Sequence, residues 1–214
     1  MTVAHLSDTD IAAMVPQARA LLINSLPGYK SAMLVGTCDS KGLTNLAIVS
    51  SHFHLGSSPP LLAMILRPST GDSERHTLHN LLETRCWTLN GFSLEHAAQA
   101  HQTSAPYPKD RSEFDACGFE AEWLDEFSAP FMKGSPLQIG CLLREHHPLG
   151  INGTHMIIGE VQHLRYPESA RRSDGGLSLS DMGLVTVAGL DTYTQPGSGV
   201  RFAPADTTSP PRQL

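Results

Sequence analysis

Between Leu46 and Phe53 the chain passes from Leu, Ile and Val to Ser50-Ser51-His52-Phe53, so hydroxyls and one aromatic ring follow directly on an aliphatic, strand-like run. A strand end of that kind leaves backbone N–H groups, two hydroxyls and a ring free to meet the edge of a flat polar ligand. A plain solvent-exposed loop has the same composition, and the residues alone leave both readings open. Further on, Arg75 and Thr77 stand at the start of His76–Thr84, where Leu78, Leu81 and Leu82 share one helical face. A helix N-terminus bearing a guanidinium and a hydroxyl is a seat for a phosphate, although a cap and a solvated charge would read alike.

Other chemistries lack a handle. The sequence has no Gly-x-Ser-x-Gly elbow, no Walker-type loop and no Gly-x-Gly-x-x-Gly, which leaves acyl transfer, NTP hydrolysis and a Rossmann site without a motif. There are 11 histidines, but none of His52 with His54, His76 with His79 or His146-His147 lies in a His-Glu-x-x-His frame or beside a Cys cluster. His52 and His54 would share one face of a strand, an arrangement that suits two metal ligands, yet scattered surface histidines explain the pattern and no metal site is expected. Cys38, Cys86, Cys117 and Cys141 are widely spaced without a Cys-x-x-Cys pair, which predicts free thiols in a cytoplasmic protein.

The elements that must position Ser50, Ser51, Arg75 and Thr77 follow from periodicity. Gly36–Pro60 reads as a hairpin turned by Asp39-Ser40-Lys41-Gly42 and followed by a Ser-rich bend. Before it, Asp8-Thr9-Asp10 signals a helix start, with Pro16 delaying or bending the helix, Leu26-Pro27-Gly28 ending it, and Ser31–Cys38 forming the first strand. After it come a strand at Leu61–Leu66 buried on both faces, a loop at Ser69–Arg75, the His76–Thr84 helix, a strand at Cys86–Asn90 and a short helix at Ser93–Gln102. Thr103–Pro136 reads as an insertion laid over the body and held by Tyr107, Phe114, Phe119, Trp123, Phe127 and Phe131. Leu137–Arg144 and His155–Tyr166 make a long hairpin, Arg171–Asp181 a mobile connection, Leu184–Tyr193 a last strand, and Val200–Leu214 a frayed or partner-clasping tail.

With 214 residues and 40% hydrophobic content the chain can bury one core, so a single domain is expected over 1–214. A net charge of -6, with 15 Lys and Arg and no basic run beyond Arg171-Arg172, argues against nucleic acid. No apolar stretch approaches the ~20 residues of a membrane span. The opening MTVAHLSDTD lacks the basic and apolar regions of a signal peptide.

Five segments in order resemble the flavin reductase-like proteins. They are Gly36-Thr37…Asp39…Gly42…Asn45…Ala47…Ser50-Ser51…Phe53…Pro59-Pro60; Arg75-x-Thr77-Leu78-x-Asn80; Trp87-Thr88-Leu89-Asn90; Tyr107-Pro108 with Glu113-Phe114, Ala116 and Gly118; and Gly153-Thr154-His155 with Gly159-Glu160-Val161. The resemblance implies a mainly β fold, an FMN-binding split β-barrel of Greek-key-like type. Its barrel core would span 30–166 with the insertion at 103–136, flanked by a helical segment at 1–29 and an extension at 167–214. It further implies FMN in preference to FAD, NAD(P)H as co-substrate, and a homodimer that shares its cofactor sites. In that picture Ser50, Ser51 and the backbone around His52 bond the isoalloxazine edge, Asn45 and Ala47 flank the cofactor, and Phe53 packs beside the ring. Arg67, Arg75 and Thr77 hold the phosphate, and His155 faces the nicotinamide or flavin as the catalytic candidate. Three departures weaken any transfer of substrate preference: Ile48 stands where the family often has Pro, His76 where Asp is common, and Gly140-Cys141 where a Glu-Cys pair is common. The function expected is an NAD(P)H-dependent flavin reductase-like oxidoreductase passing electrons to flavin, another small acceptor or a partner oxygenase. The alternatives are an FMN-carrying electron-transfer protein that never binds nicotinamide, and a split-barrel relative that has lost flavin.

Overall fold

The computed structural model describes residues 2–69 and 75–214, so residues 70–74 of the loop expected at Ser69–Arg75 lie outside the described residues. At the N-terminus, α1 (Asp8–Ala13) starts in a capping box in which Ser7 and Asp10 each bond the other's backbone N–H, at 3.2 and 2.8 Å. Pro16 opens a second helix, α2 (Pro16–Ser25), instead of bending the first. Its missing N–H costs nothing in a first turn, where no intrahelical acceptor waits. Neither helix buries a residue in this chain.

The expected first strand is two strands. β1 (Tyr29–Ser31) and β2 (Met33–Cys38) separate at Ala32, and each joins a different sheet. The remaining elements are β3 (Thr44–Val49), β4 (His52–Ser57), β5 (Pro60–Leu66), α3 (His76–Thr84), β6 (Cys86–Asn90), α4 (Ala97–Gln102), α5 (Glu113–Cys117), β7 (Ala121–Glu122), β8 (Phe131–Met132), β9 (Gln138–Pro148), β10 (His155–Arg165), β11 (Thr186–Ala188) and β12 (Thr192–Thr194). The β2–β3 turn forms as its residues dictate: Asp39 Oδ1 accepts from Lys41 N–H and Leu43 N–H, each at 2.9 Å, and Gly42 takes φ 84°.

Seven strands form one antiparallel sheet in the order β3-β2-β6-β9-β10-β5-β4. Val49 of β3 and Met64 of β5 have four strands between them in that order, yet both enter one buried cluster with Met33, Val35, Trp87, Leu89, Cys141, Leu143 and Ile157. Only a sheet curled on itself can bring those side chains together, which makes the fold a mainly β split barrel with β3 and β4 as its edges. Every residue of β2 is buried because the strand is covered on both sides. Met33 and Val35 face the barrel, while Leu34 joins Leu46, Phe92, Phe114, Met132, Val185 and Val187 outside it. Gly159 of β10 lies so close to the Trp87 indole that a Cβ would overlap the ring.

Several expectations shift in detail. β5 is fully buried only at Ala63 and Met64, because its neighbour β4 is an edge strand with Phe53 and Leu55 exposed. The Ser93–Gln102 helix begins as a 3-10 turn at Leu94–His96 before α4. In the insertion, Phe114, Phe127 and Phe131 are buried, whereas Trp123 is 48% exposed. The connection at 171–181 carries hydrogen bonds, with Arg172 Nη1 donating to the Leu177 carbonyl at 2.6 Å and Ser178 N–H to the Ala170 carbonyl at 2.8 Å. The tail folds back through a bridge between Phe202 and Gln213, and Arg201 pairs with Asp174. All four cysteines are free and buried, and burial pushes the Cys38 thiol up to about 11 and the Cys141 thiol up to about 12. Among the described residues no helix is long and apolar enough to cross a membrane.

Candidate functional site

A cavity of about 380 Å3 opens where the β3 edge, the C-terminal end of β5 and the N-terminal end of α3 converge. Its first wall is Ala47–Ser51, and the way β3 is held explains that wall. As an edge strand β3 turns alternate N–H groups outward, and the insertion satisfies them with side chains. Glu113 Oε2 accepts from Leu46 N–H at 3.0 Å, and Thr103 Oγ1 accepts from Ile48 N–H at 3.0 Å while donating to the Ala100 carbonyl at 2.7 Å. Burial raises the Glu113 carboxyl above the usual carboxylate range, against the lowering effect of the Leu46 bond. Beyond Val49 the strand ends, and among the described residues the hydroxyls of Ser50 and Ser51 make no hydrogen bond; both residues line the cavity.

The second wall is cationic. Arg75 sits at the N-cap of α3 with no side-chain capping bond, and its N–H donates to Ser69 Oγ at 3.0 Å. Thr77, in the first turn, is buried and accepts from Asn45 Nδ2 at 3.0 Å, which leaves its own hydroxyl proton to donate. Arg67 leaves the end of β5 on the same cavity, and among the described residues neither Arg67 nor Arg75 has a carboxylate partner. Lys30 lies close behind: its Nζ donates to the Gly189 carbonyl at 3.2 Å, and burial, then the Arg67 charge, lowers its pKa. Cations that raise one another's energy beside an open helix N-terminus make a site for an anion.

The third wall comes from α4 and the C-terminal strands: His101, Thr103 and Ser104 with Val187, Leu190 and Tyr193. His101 Nδ1 and the Tyr193 hydroxyl are 2.9 Å apart, 92 residues apart in the chain.

Of the residues singled out in the sequence, Ala47, Ser50, Ser51, Arg67, Arg75 and Thr77 meet on this cavity. Asn45 is buried behind it and reaches the wall only through Thr77. His52 and Phe53 do not line it. The His52 Nε2 is buried without a hydrogen-bond partner among the described residues, and burial lowers its pKa so that the neutral imidazole is favoured. Phe53 is 43% exposed on β4. His155 stands opposite the cavity residue Leu66 in the β10–β5 register, one strand beyond the rim. Its Nδ1 is 2.8 Å from Nε2 of His146, the rings stacked at 5.0 Å. No group of three metal-ligating side chains occurs among the described residues. Sequence reasoning missed Lys30, His101, Thr103, Ser104, Val187, Leu190 and Tyr193. No local signal marks the pairing of His101 with Tyr193, 92 residues apart, or of Thr103 with Ile48, 55 residues apart.

The family model described as the flavin reductase like domain matches residues 26–184. The chain belongs to that family. This flavin reductase-like chain is 43% identical to a split-barrel protein of flavin reductase type from Shewanella frigidimarina NCIMB 400, with a TM-score of 0.89 over 95% of this chain and 100% of the other. Nitrilotriacetate monooxygenase component B from Bacillus cereus has the same fold at 17% identity, TM-score 0.80, over 93% of this chain and 98% of the other. The flavoredoxin of Desulfovibrio vulgaris (Miyazaki F) shares it at 22% identity, TM-score 0.68, over 85% and 92%. An uncharacterized protein of Aquifex aeolicus (strain VF5) is 25% identical over 127 residues, which is 59% of this chain and 64% of that protein.

Proposed function

We propose that this flavin reductase-like chain is an FMN-binding oxidoreductase that takes electrons from NAD(P)H and passes them to flavin or to an acceptor that reduced flavin serves. The observation that carries the reading is one cavity joining two unengaged serine hydroxyls to a helix N-terminus flanked by Arg67 and Arg75. That donor set fits a ligand with a polar heteroaromatic edge at one end and a phosphate at the other.

When bound, the flavin supplies the redox chemistry, and the protein supplies position and electrostatics. Arg75, Thr77 and the first turn of α3 would hold the phosphate, with Arg67 and Lys30 offsetting its charge. Asn45 would keep Thr77 in place by its bond to Oγ1. Ser50, Ser51 and the neighbouring backbone would direct donors to the edge where negative charge grows on reduction. Ala47 would let that edge approach β3, while Ile65, Leu66 and Leu78 exclude water. His155, held by His146 one strand from Leu66, is the residue assigned to the nicotinamide side. A homodimer accounts for α1 and α2, in which no residue is fully buried in one chain, and for Phe53 and Leu55, 43% and 45% exposed on an edge strand. Four free thiols accord with a cytoplasmic setting.

The test is the absorption spectrum of protein purified without added cofactor, followed by anaerobic NADH and then NADPH. Flavin bands that bleach with either nucleotide support the reductase. A yellow protein that stays yellow indicates an electron carrier reduced by a partner, and protein that takes up no added FMN rejects both. Sedimentation as a 23.1 kDa monomer while loaded with FMN would reject the dimer.

A further inference from the structure

The cavity's third wall lies partly outside the stretch that defines the family. The match ends at residue 184, whereas Val187, Leu190 and Tyr193 line the cavity. Val187 and Tyr193 are direct cross-strand partners in the β11–β12 hairpin, so both side chains stand on one face of it. The Tyr193 ring is braced from two sides: His101 meets it edge-on at 5.7 Å and 83°, and the fully buried Phe92 meets it edge-on at 6.3 Å. Burial, then the nearby Asp191, raises the Tyr193 phenol above its ordinary pKa and keeps it protonated. A hydroxyl already bonded to an imidazole keeps capacity for a ligand whichever way that bond runs. If it donates to His101 its lone pairs accept from a ligand, and if it accepts from His101 its proton goes to a ligand. The wall therefore offers apolar Val187 and Leu190, an aromatic ring and one polar atom of either sense.

We infer that the β11–β12 hairpin and His101 form a specificity-determining subsite for the second ligand of this cavity, a small aromatic compound bearing a hydrogen-bonding oxygen, of the phenol, aryl ketone or quinone class. The inference rests on the proposed function, in which the opposite walls hold the flavin. Val187 and Leu190 meet the ring carbons, and the Tyr193 hydroxyl meets the oxygen. Because these residues follow the family-matched segment, ligand choice can change here without altering the phosphate seat at α3.

Equilibrium dialysis of 2-naphthol and of its oxygen-free counterpart 2-methylnaphthalene tests this, using protein as purified and after saturation with FMN. Wild type is expected to bind 2-naphthol about threefold to tenfold more tightly, the worth of one neutral hydrogen bond. Tyr193→Phe is expected to bind the two compounds alike while its FMN affinity, read by quenching of flavin fluorescence, stays within about twofold of wild type. Equal binding of both compounds by wild type overturns the subsite. So does a Tyr193→Phe protein that loses FMN affinity as fully as its preference for 2-naphthol, since the hydroxyl then serves the cofactor. A wild type that discriminates between the compounds but takes up no FMN supports the subsite and rejects the flavin reading.

Discussion

Two walls of one cavity are made in different ways. The wall of Ala47–Ser51 and the start of α3 is drawn from short, continuous stretches within the family-matched segment. The wall of His101, Thr103, Ser104, Val187, Leu190 and Tyr193 joins residues separated by as many as 92 positions, and its Val187, Leu190 and Tyr193 follow that segment. A seat for a common anionic group can be written locally, because a helix start brings its N–H groups with it. A surface that chooses among ligands needs side chains brought together from several elements. Division of labour between the walls is what substitutions should break or sharpen.

The largest effect is expected from Arg75→Ala combined with Thr77→Ala. Loss of one charged and one neutral hydrogen bond should weaken FMN binding by about 2–4 kcal/mol, measured by titration calorimetry. Unchanged affinity would remove the phosphate from this wall. Next comes Asn45→Ala, which deletes the 3.0 Å bond to Thr77 Oγ1 inside the protein. It should cost about 1–2 kcal/mol in chemical denaturation and loosen FMN in parallel, since Thr77 loses its support. A stability loss with no change in FMN affinity would separate Asn45 from the site.

Glu113 tests what holds the first wall on the β3 edge. Burial raises its pKa, so the folded state favours the protonated form. Stability from this group is then fullest below the unfolded carboxyl range and is lost as pH rises through the raised folded value. Glu113→Gln keeps an acceptor for Leu46 N–H without the charge. Wild type should therefore lose stability relative to Glu113→Gln in denaturant titrations as pH rises from the ordinary carboxyl range through the raised folded value. A gain over that interval would reverse the assignment. Smallest of all is the change in FMN affinity for Tyr193→Phe, about twofold or less, because its hydroxyl belongs to the other wall.

Local chemistry made much of the first wall legible in the sequence. The Asp39–Gly42 turn fixes the β2–β3 hairpin, the aliphatic-to-serine switch ends β3 at Ser50, and the spacing of Leu78, Leu81 and Leu82 predicts α3 and hence the place of Arg75 and Thr77. The same reasoning put Asn45, Phe53 and His155 near the cofactor, whereas the fold buries Asn45 behind the wall and keeps Phe53 and His155 off the cavity lining. Strand periodicity says which residues share a face, but the curl of the sheet decides which of them reach a given cavity. Neither does periodicity show that Glu113 and Thr103 would occupy the outward N–H groups of Leu46 and Ile48, since those partners lie 67 and 55 residues away.

By itself the sequence determined the hairpin, the α3 start, the free thiols and the family, all of which rest on residues near one another in the chain or on their order along it. Only the tertiary structure decided that Lys30 comes within reach of the Arg67 charge, that His101 meets Tyr193, and that the C-terminal strands complete the cavity. The physical reason is that those contacts form across a curled sheet. Its packing depends on Val49 and Met64, with four strands between them in the sheet, sharing one core.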